Sequence, residues 1–313
     1  MICVWNMTKH TKRLVAFVTV ASLATGLWVS FKGSTPSSWI AGKSISPLLP
    51  SRLLLADFQT AGDDDLMQWL SKAEDNPVTK VADEHLVKPL SDDVRTRMLA
   101  IQGVEVTREQ FPELNSVVQT CAQILHLEKA PRVFVSDSAR LPITTENYAE
   151  PIVIIQPGTL DRFKKSAELR FLIGRELGHA KANHTRWRMM VKRMNSITDK
   201  LNFLGDANIS PLLPLLRWAR ESEMTADNAG LICAQDEKTC QRVLLRLATG
   251  VDDSGGELNV EAYLHQCETE RLSDFSEAVL LWREWNRPTP FAPARIRQLR
   301  QYCESARYQA IWK

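Results

Sequence analysis

The stretch Glu168 to His184, ELRFLIGRELGHAKANH, decides how this chain is read. Leu169, Leu172, Ile173 and Leu177 recur at helical spacing and line one face, with Arg175, Glu176 and His179 beside it. Polar groups flanking a core-facing stripe are either a solvated shoulder or the start of a site. Taken alone the Glu-x-x-His spacing arises often by chance, and a solvated helix face with one histidine accounts for it.

Working outward, the period of the pattern changes upstream of this helix. Arg132 to Ser136 (RVFVS) and Pro151 to Gln156 (PIVIIQ) are β-branched runs bounded by Pro, Ser and Gly, and they read as strands of one small sheet. Thr107 to Gln110 resembles a capping box ahead of Phe111, after which Leu114, Val117, Val118, Cys121, Ile124 and Leu125 follow a helical period. Further back, Ser91-Asp92-Asp93 caps a predicted helix through Val94, Met98 and Ile101, and Leu66 to Ala73 is a short amphipathic stretch. Everything after Ser166 reads as mainly helical, broken at Asn208 to Pro214 and at Asp252 to Gly256. No internal repeat is visible.

With 313 residues the chain is long enough for a sizeable core, and 44% hydrophobic against 24% charged residues is an ordinary globular balance. The 39 basic and 37 acidic residues nearly cancel, which removes the electrostatic footprint that a nucleic-acid partner requires. Six cysteines without a Cys-x-x-Cys pair indicate neither a disulfide framework nor a cysteine zinc site.

The N-terminus departs from this balance. Leu14 to Phe31 (LVAFVTVASLATGLWVSF) is uncharged and follows Lys9, Lys12 and Arg13. As a helix it spans roughly 27 Å, enough for a bilayer core. A cleaved signal peptide competes with this reading, since Ser22-Leu23-Ala24 is a weak cleavage site, but the run is longer than a signal's apolar core and a retained anchor is preferred. The basic flank places the N-terminus in the cytoplasm and the main domain outside it, in a single-pass membrane protein. Residues 33–52 mix Gly, Ser and Pro and read as a linker. The expected organisation is a basic segment and transmembrane anchor over 1–31, a linker and helical region over 32–96, and a main domain over 97–313.

Zinc peptidases carry H-E-x-x-H on a helix because residues i and i+4 lie only about 40° apart, so two imidazoles reach one metal while the intervening Glu polarises its water. Here Arg175 stands where the first histidine would be. Glu221 to Gly230 (ESEMTADNAG) follows, with Glu223 placed 44 residues after His179. This E-x-x-A-D-x-x-G arrangement after a Glu-x-x-His helix resembles the HtpX and CAAX-prenyl-protease family of zinc metallopeptidases. The resemblance extends from about Glu109 to Trp312 and rests on the order of the VFVS strand, the IVIIQPGTL strand and turn, the ELRFLIGRELGH helix, the SEMTAD helix and the terminal PFAPARIRQL.

The resemblance implies an α+β fold, mainly helical and zincin-like, with one small sheet whose edge lies beside the motif helix. It also implies zinc ligation by His179 and Glu223, a general base in Glu176, a ligand-orienting carboxylate in Asp227, and a peptide or protein substrate. Arg175 breaks the pattern, because a guanidinium has no lone pair and keeps its proton. The aromatic-containing segment usual before the edge strand is absent from Leu141 to Glu150, and the usual His-Pro near the C-terminus is Thr289-Pro290, although Arg295-Ile296 is kept. On a continuous helix His184 points about 140° away from His179. His126 and His265 lie on other helices, and His10 and His85 lie outside the region of resemblance. Zinc is therefore expected to be weakly held or absent. Two readings stay open: a membrane-anchored pseudopeptidase that binds peptides or partners, and a working zinc endopeptidase with a substituted ligand set.

Overall fold

The computed structural model describes residues 40, 46–73, 92–139, 141–146, 150–191, 213–253, 256–269, 283 and 287–313, all within a unit that runs from Ser38 to Lys313. In chain order the elements are α1 (Ala61–Ala73), α2 (Asp92–Gln102), β1 (Val104–Glu105), α3 (Pro112–Ile124), β2 (Arg132–Val135), β3 (Ile143–Glu146), β4 (Ile152–Ile155), α4 (Pro157–Arg162), α5 (Ser166–Lys181), α6 (Leu213–Ala234), α7 (Glu237–Thr249), α8 (Val260–Thr269), α9 (Ala292–Glu304) and α10 (Ala306–Ile311). The fold is α+β and mainly helical, with one four-stranded sheet. Leu14 to Phe31 lies outside the described residues, and among those described no helix is long and apolar enough to cross a membrane.

The two expected strands are β2 and β4, which pair in parallel with Arg132 opposite Ile152 and Val135 opposite Ile155. Two further strands, not expected, complete the order β1-β2-β4-β3, both antiparallel to their neighbours. β1 is two residues long and β3 (ITTE) carries two threonines, so neither has the apolar run that marks β4. Along β2 and β4 side chains alternate between faces. Val133, Val135, Val153 and Ile155 join the main core with Leu114, Leu169, Leu172 and Ile232, whereas Phe134, Ile152 and Ile154 pack with Leu99 of α2 on the other face. The sheet is thus covered on both sides, and all four residues of β4 are buried.

Three local expectations are corrected. Val94, Met98 and Ile101, read as the apolar positions of α2, are 47%, 46% and 77% exposed, because Leu99 is the residue that the helix turns onto the sheet. Thr107 closes a turn by accepting from the Glu109 and Gln110 amides, and α3 begins later, at Pro112. The amphipathic stretch expected over Leu66 to Ala73 starts earlier, at Ala61. Residues 46–63 run across the helices: Phe58 is fully buried in the main core, Tyr302 donates to the Asp57 carbonyl at 2.8 Å and Asn228 to the Phe58 carbonyl at 2.8 Å.

Helices α5 and α6 meet along a seam of small residues. A Cβ on Gly174 would stand 2.7 Å from the Cys233 Cβ, one on Gly178 2.5 Å from the Ala229 Cβ, and one on Gly230 2.7 Å from the Arg175 Cγ. Such an approach lets short carboxylates on one backbone reach side chains on the other. Other charged residues of α5 hold its surroundings together: Glu168 accepts from Arg246 at 2.8 Å, and Arg170 donates to the Cys233 and Ala234 carbonyls at the end of α6. Gly178→Ala gains about 1 kcal/mol of helix propensity but overpacks a contact that has no flexible side chain to yield, at about 1–3 kcal/mol. It is expected to lower the urea unfolding midpoint, and a raised midpoint would show that the seam parts easily.

Candidate site between the two motif helices

The close seam brings Arg175 and Glu176 of α5 against Glu223 and Asp227 of α6, all buried. Arg175 donates through Nε to Asp227 Oδ1 and through Nη2 to Glu223 Oε2, each at 2.6 Å, while its Nη1 stands 4.0 Å from Glu176. The guanidinium therefore pairs with the carboxylates of α6 and does not run out to water. Burial works against its charge, but Asp227 and Glu223 outweigh burial and raise its pKa further.

Two more arginines complete the cluster. Arg295 of α9 donates to both oxygens of Asp227, Nε at 2.8 Å and Nη2 at 2.7 Å, in a fork geometry suited to a carboxylate. Arg188 donates Nη2 to Glu223 Oε1 at 3.1 Å and holds Nη1 3.5 Å from Glu176 Oε2. Thr145 of β3 donates its hydroxyl to Glu176 Oε2 at 2.7 Å, which ties the sheet edge to the motif helix. Burial alone would raise both glutamates. Arg188 is the largest opposing influence on each, with His179 and Arg175 adding to it, so Glu176 is lowered and Glu223 lies well below the usual carboxylate range.

His179 is fully buried, and burial together with Arg188 pushes its pKa down to about 4, so the ring is neutral at pH 7. His184 does not point away from it. Helix α5 ends at Lys181, Asn183 takes a left-handed φ of 56°, and the chain turns back so that the two Nδ1 atoms are 3.1 Å apart. His184 Nε2 lies 3.0 Å from Asp63 Oδ2, and Asp63 also accepts from Trp218 at 3.0 Å and from Thr225 at 2.9 Å. Burial raises Asp63, but the hydrogen bonds from His184 and Thr225 outweigh it and hold the carboxylate ionised. The donor and acceptor roles along this chain follow from the tautomers: where His184 donates Nε2–H to Asp63 and accepts at Nδ1, His179 donates Nδ1–H and its Nε2 is left as a lone pair. That atom is buried without a hydrogen-bond partner, 3.6 Å from Glu223 Oε1.

Every residue singled out in the sequence meets here: Arg175, Glu176, His179, Glu223 and Asp227. Asp63, Thr145 and Arg188 were missed, and His184, set aside on the assumption of a continuous helix, is brought back by the turn at Asn183. Asn183, a residue tolerant of left-handed backbone at a helix end, was the signal for His184 and Arg188, whereas Asp63, 121 residues from His184, left none. His126 is elsewhere, bonded to the Pro50 carbonyl at 3.0 Å, and His265 is exposed.

A buried Glu-x-x-His helix, a second helix with Glu and Asp facing it, and the edge of a small sheet alongside define a metallopeptidase-type site. The chain belongs to peptidase family M48, whose sequence model matches residues 108–303. The members of that family are zinc metallopeptidases. Among curated proteins it is similar to the "Plastoglobule-localized metallopeptidase 48, chloroplastic" of Arabidopsis thaliana, with 29% identity over 222 residues that cover 67% of this chain. The chain spans 62% of the length of that relative. No solved structure matches.

The residues present do not fit zinc. A zinc site of this type needs three neutral or anionic donors with free lone pairs. Arg175 offers none, both Glu223 oxygens already accept from guanidinium groups, and Glu176 Oε2 accepts from Thr145. Among the described residues no three His, Cys, Asp or Glu side chains are grouped to hold a metal ion. His179 Nε2 is the one family donor left open. Charge points the same way, since three arginines already balance Glu176, Glu223 and Asp227. Arg175→Ala would strand buried carboxylates, a loss of about 3–5 kcal/mol, against about 1 kcal/mol or less for Arg297→Ala in the exposed Arg297–Glu268 pair. Chemical denaturation of both variants is expected to separate them clearly, and equal small losses would show that Arg175 contributes little to folding.

Proposed function

We infer that this chain is a membrane-tethered M48 protein that has exchanged its metal for guanidinium groups and binds peptide or protein segments without hydrolysing them. One observation carries the reading: Arg175, at the position of the first histidine ligand, is buried with 2.6 Å bonds to Glu223 and Asp227, which commits those carboxylates to an organic cation. The fold of a peptidase keeps its means of holding an extended chain. β3 is an edge strand beside the motif helix, and an added strand is the mode by which such an edge takes up a peptide. The family resemblance supports a peptide or protein partner, and the near-neutral charge gives no support to nucleic acid.

A second reading, a working zinc endopeptidase with a substituted ligand set, is favoured by His179 alone, whose buried Nε2 has no hydrogen-bond partner. In that reading Glu176 stays the general base and His179 and Glu223 the ligands. The full chain purified in detergent is expected to retain no stoichiometric zinc after dialysis and to leave an unfolded protein substrate intact. One tightly held equivalent, with cleavage abolished by Glu176→Gln, would establish the second reading instead.

The tether rests on Leu14 to Phe31, an apolar run with a basic flank, which supports a single-pass protein whose main domain lies outside the cytoplasm. The full-length chain is expected to stay in the membrane fraction through an alkaline carbonate wash. Recovery in the soluble fraction with a mature N-terminus near Thr25 would make this run a signal peptide.

A further inference from the structure

The pairing of Arg175 leaves one side of Glu223 unexplained. Arg175 takes Oε2, the oxygen that also faces Arg295 at 3.7 Å, and its remaining bond goes to Asp227. The opposite oxygen, Oε1, faces His179 Nε2 at 3.6 Å and accepts from Arg188 at 3.1 Å. Arg188 also reaches Glu176 Oε2 at 3.5 Å. Its guanidinium therefore touches both glutamates, on the Glu223 oxygen that His179 Nε2 also faces. Arg175 reaches the same two glutamates, but through the other oxygen of each, Glu223 Oε2 at 2.6 Å and Glu176 Oε1 at 4.0 Å.

We propose that Arg188, and not Arg175, fills the cation position of this site, so that two separate substitutions bar a divalent ion and restoring His at 175 does not by itself reopen it. Arg188 is delivered there by the chain reversal at Asn183. Its backbone amide donates to the His184 carbonyl at 2.9 Å, so the residues that place His184 beside His179 also aim Arg188 between the glutamates. Electrostatics sets the order of events. With Arg188 present, a dication entering between Glu176 and Glu223 meets a fixed positive charge and a Glu223 carboxylate already engaged at both oxygens. With Arg188 gone, Glu223 Oε1 and His179 Nε2 are both free, and a histidine at 175 completes three protein donors on two helices.

The inference rests on the metal-free reading above, and the experiment separates the two. The full chain, its R175H variant, the R175H/R188M variant and the R175H/R188K variant are stripped with a chelator, exposed to zinc and dialysed. Zinc per chain is then counted by plasma mass spectrometry, and affinity is read by competition with a chromogenic chelator. The expected result is no retained zinc in the wild type, in R175H or in R175H/R188K, and about one equivalent in R175H/R188M, bound about 100-fold or more tightly than by R175H. Wild type retaining zinc would overturn the metal-free reading. R175H loading as well as R175H/R188M, or R175H/R188K loading as well as R175H/R188M, would leave that reading intact and overturn the role given to Arg188. A folded R175H/R188M, judged by its far-ultraviolet dichroism and a cooperative melt, that stays empty would overturn it too. Should the methionine unfold the chain, R175H/R188Q keeps a polar side chain of similar reach and is judged by the same outcomes.

Discussion

Three carboxylates buried between two helices would repel one another strongly in the absence of positive charge, and the organisation of this domain follows from how that charge is supplied. Isolated ions in a protein interior cost several kcal/mol each, so Glu176, Glu223 and Asp227 require partners that are themselves buried and well placed. Arg175, Arg188 and Arg295 come from α5, from the segment after it and from α9. The cluster therefore binds together elements far apart in sequence, and each arginine has to be threaded to it. Gly230 is part of that threading, because a Cβ there would collide with the Arg175 side chain and with the Phe171 carbonyl oxygen, 2.8 Å away.

Family descent and present chemistry can be told apart in this cluster. Asp227 and Arg295, joined by two hydrogen bonds, both lie within the residues that match the family model, and their pairing is independent of any metal. The chain from Asp63 through His184 to His179 fixes the His179 ring with its Nε2 toward Glu223, an arrangement typical of the support behind a metal-ligating imidazole. Arg175 and Arg188 then use the remaining carboxylate oxygens. The positive charge at the centre of the cluster is supplied by side chains.

The core of the fold was legible wherever one face of an element repeats with a clear period: α3, α5, and the β-branched runs of β2 and β4. It was not legible where a tertiary neighbour chose the face. Leu99 is buried and Ile101 is not because a sheet lies under one turn of α2. β3 was invisible because its threonines owe their place to β4 and to Glu176. In the site, the family resemblance named the residues of α5 and α6. It could not name Asp63, which reaches His184 only through folding, or the reversal at Asn183 that falsified the assumption of a continuous helix.

The crossing of residues 46–63 over the helices also makes this segment a mechanical element. Leu48 and Gln235 are joined by two hydrogen bonds, of 2.9 and 2.7 Å, the Pro50 carbonyl lies 3.0 Å from His126, and Leu53 and Phe58 are sunk in the core before the chain reaches Asp63. A force applied from the N-terminal side meets these fastenings in series. The bond from the Ile40 amide to Glu113, 3.2 Å, carries the load first and the exposed pair at Leu48 follows, and the buried anchor at Phe58 stands between any such pull and the carboxylate that orients the two histidines.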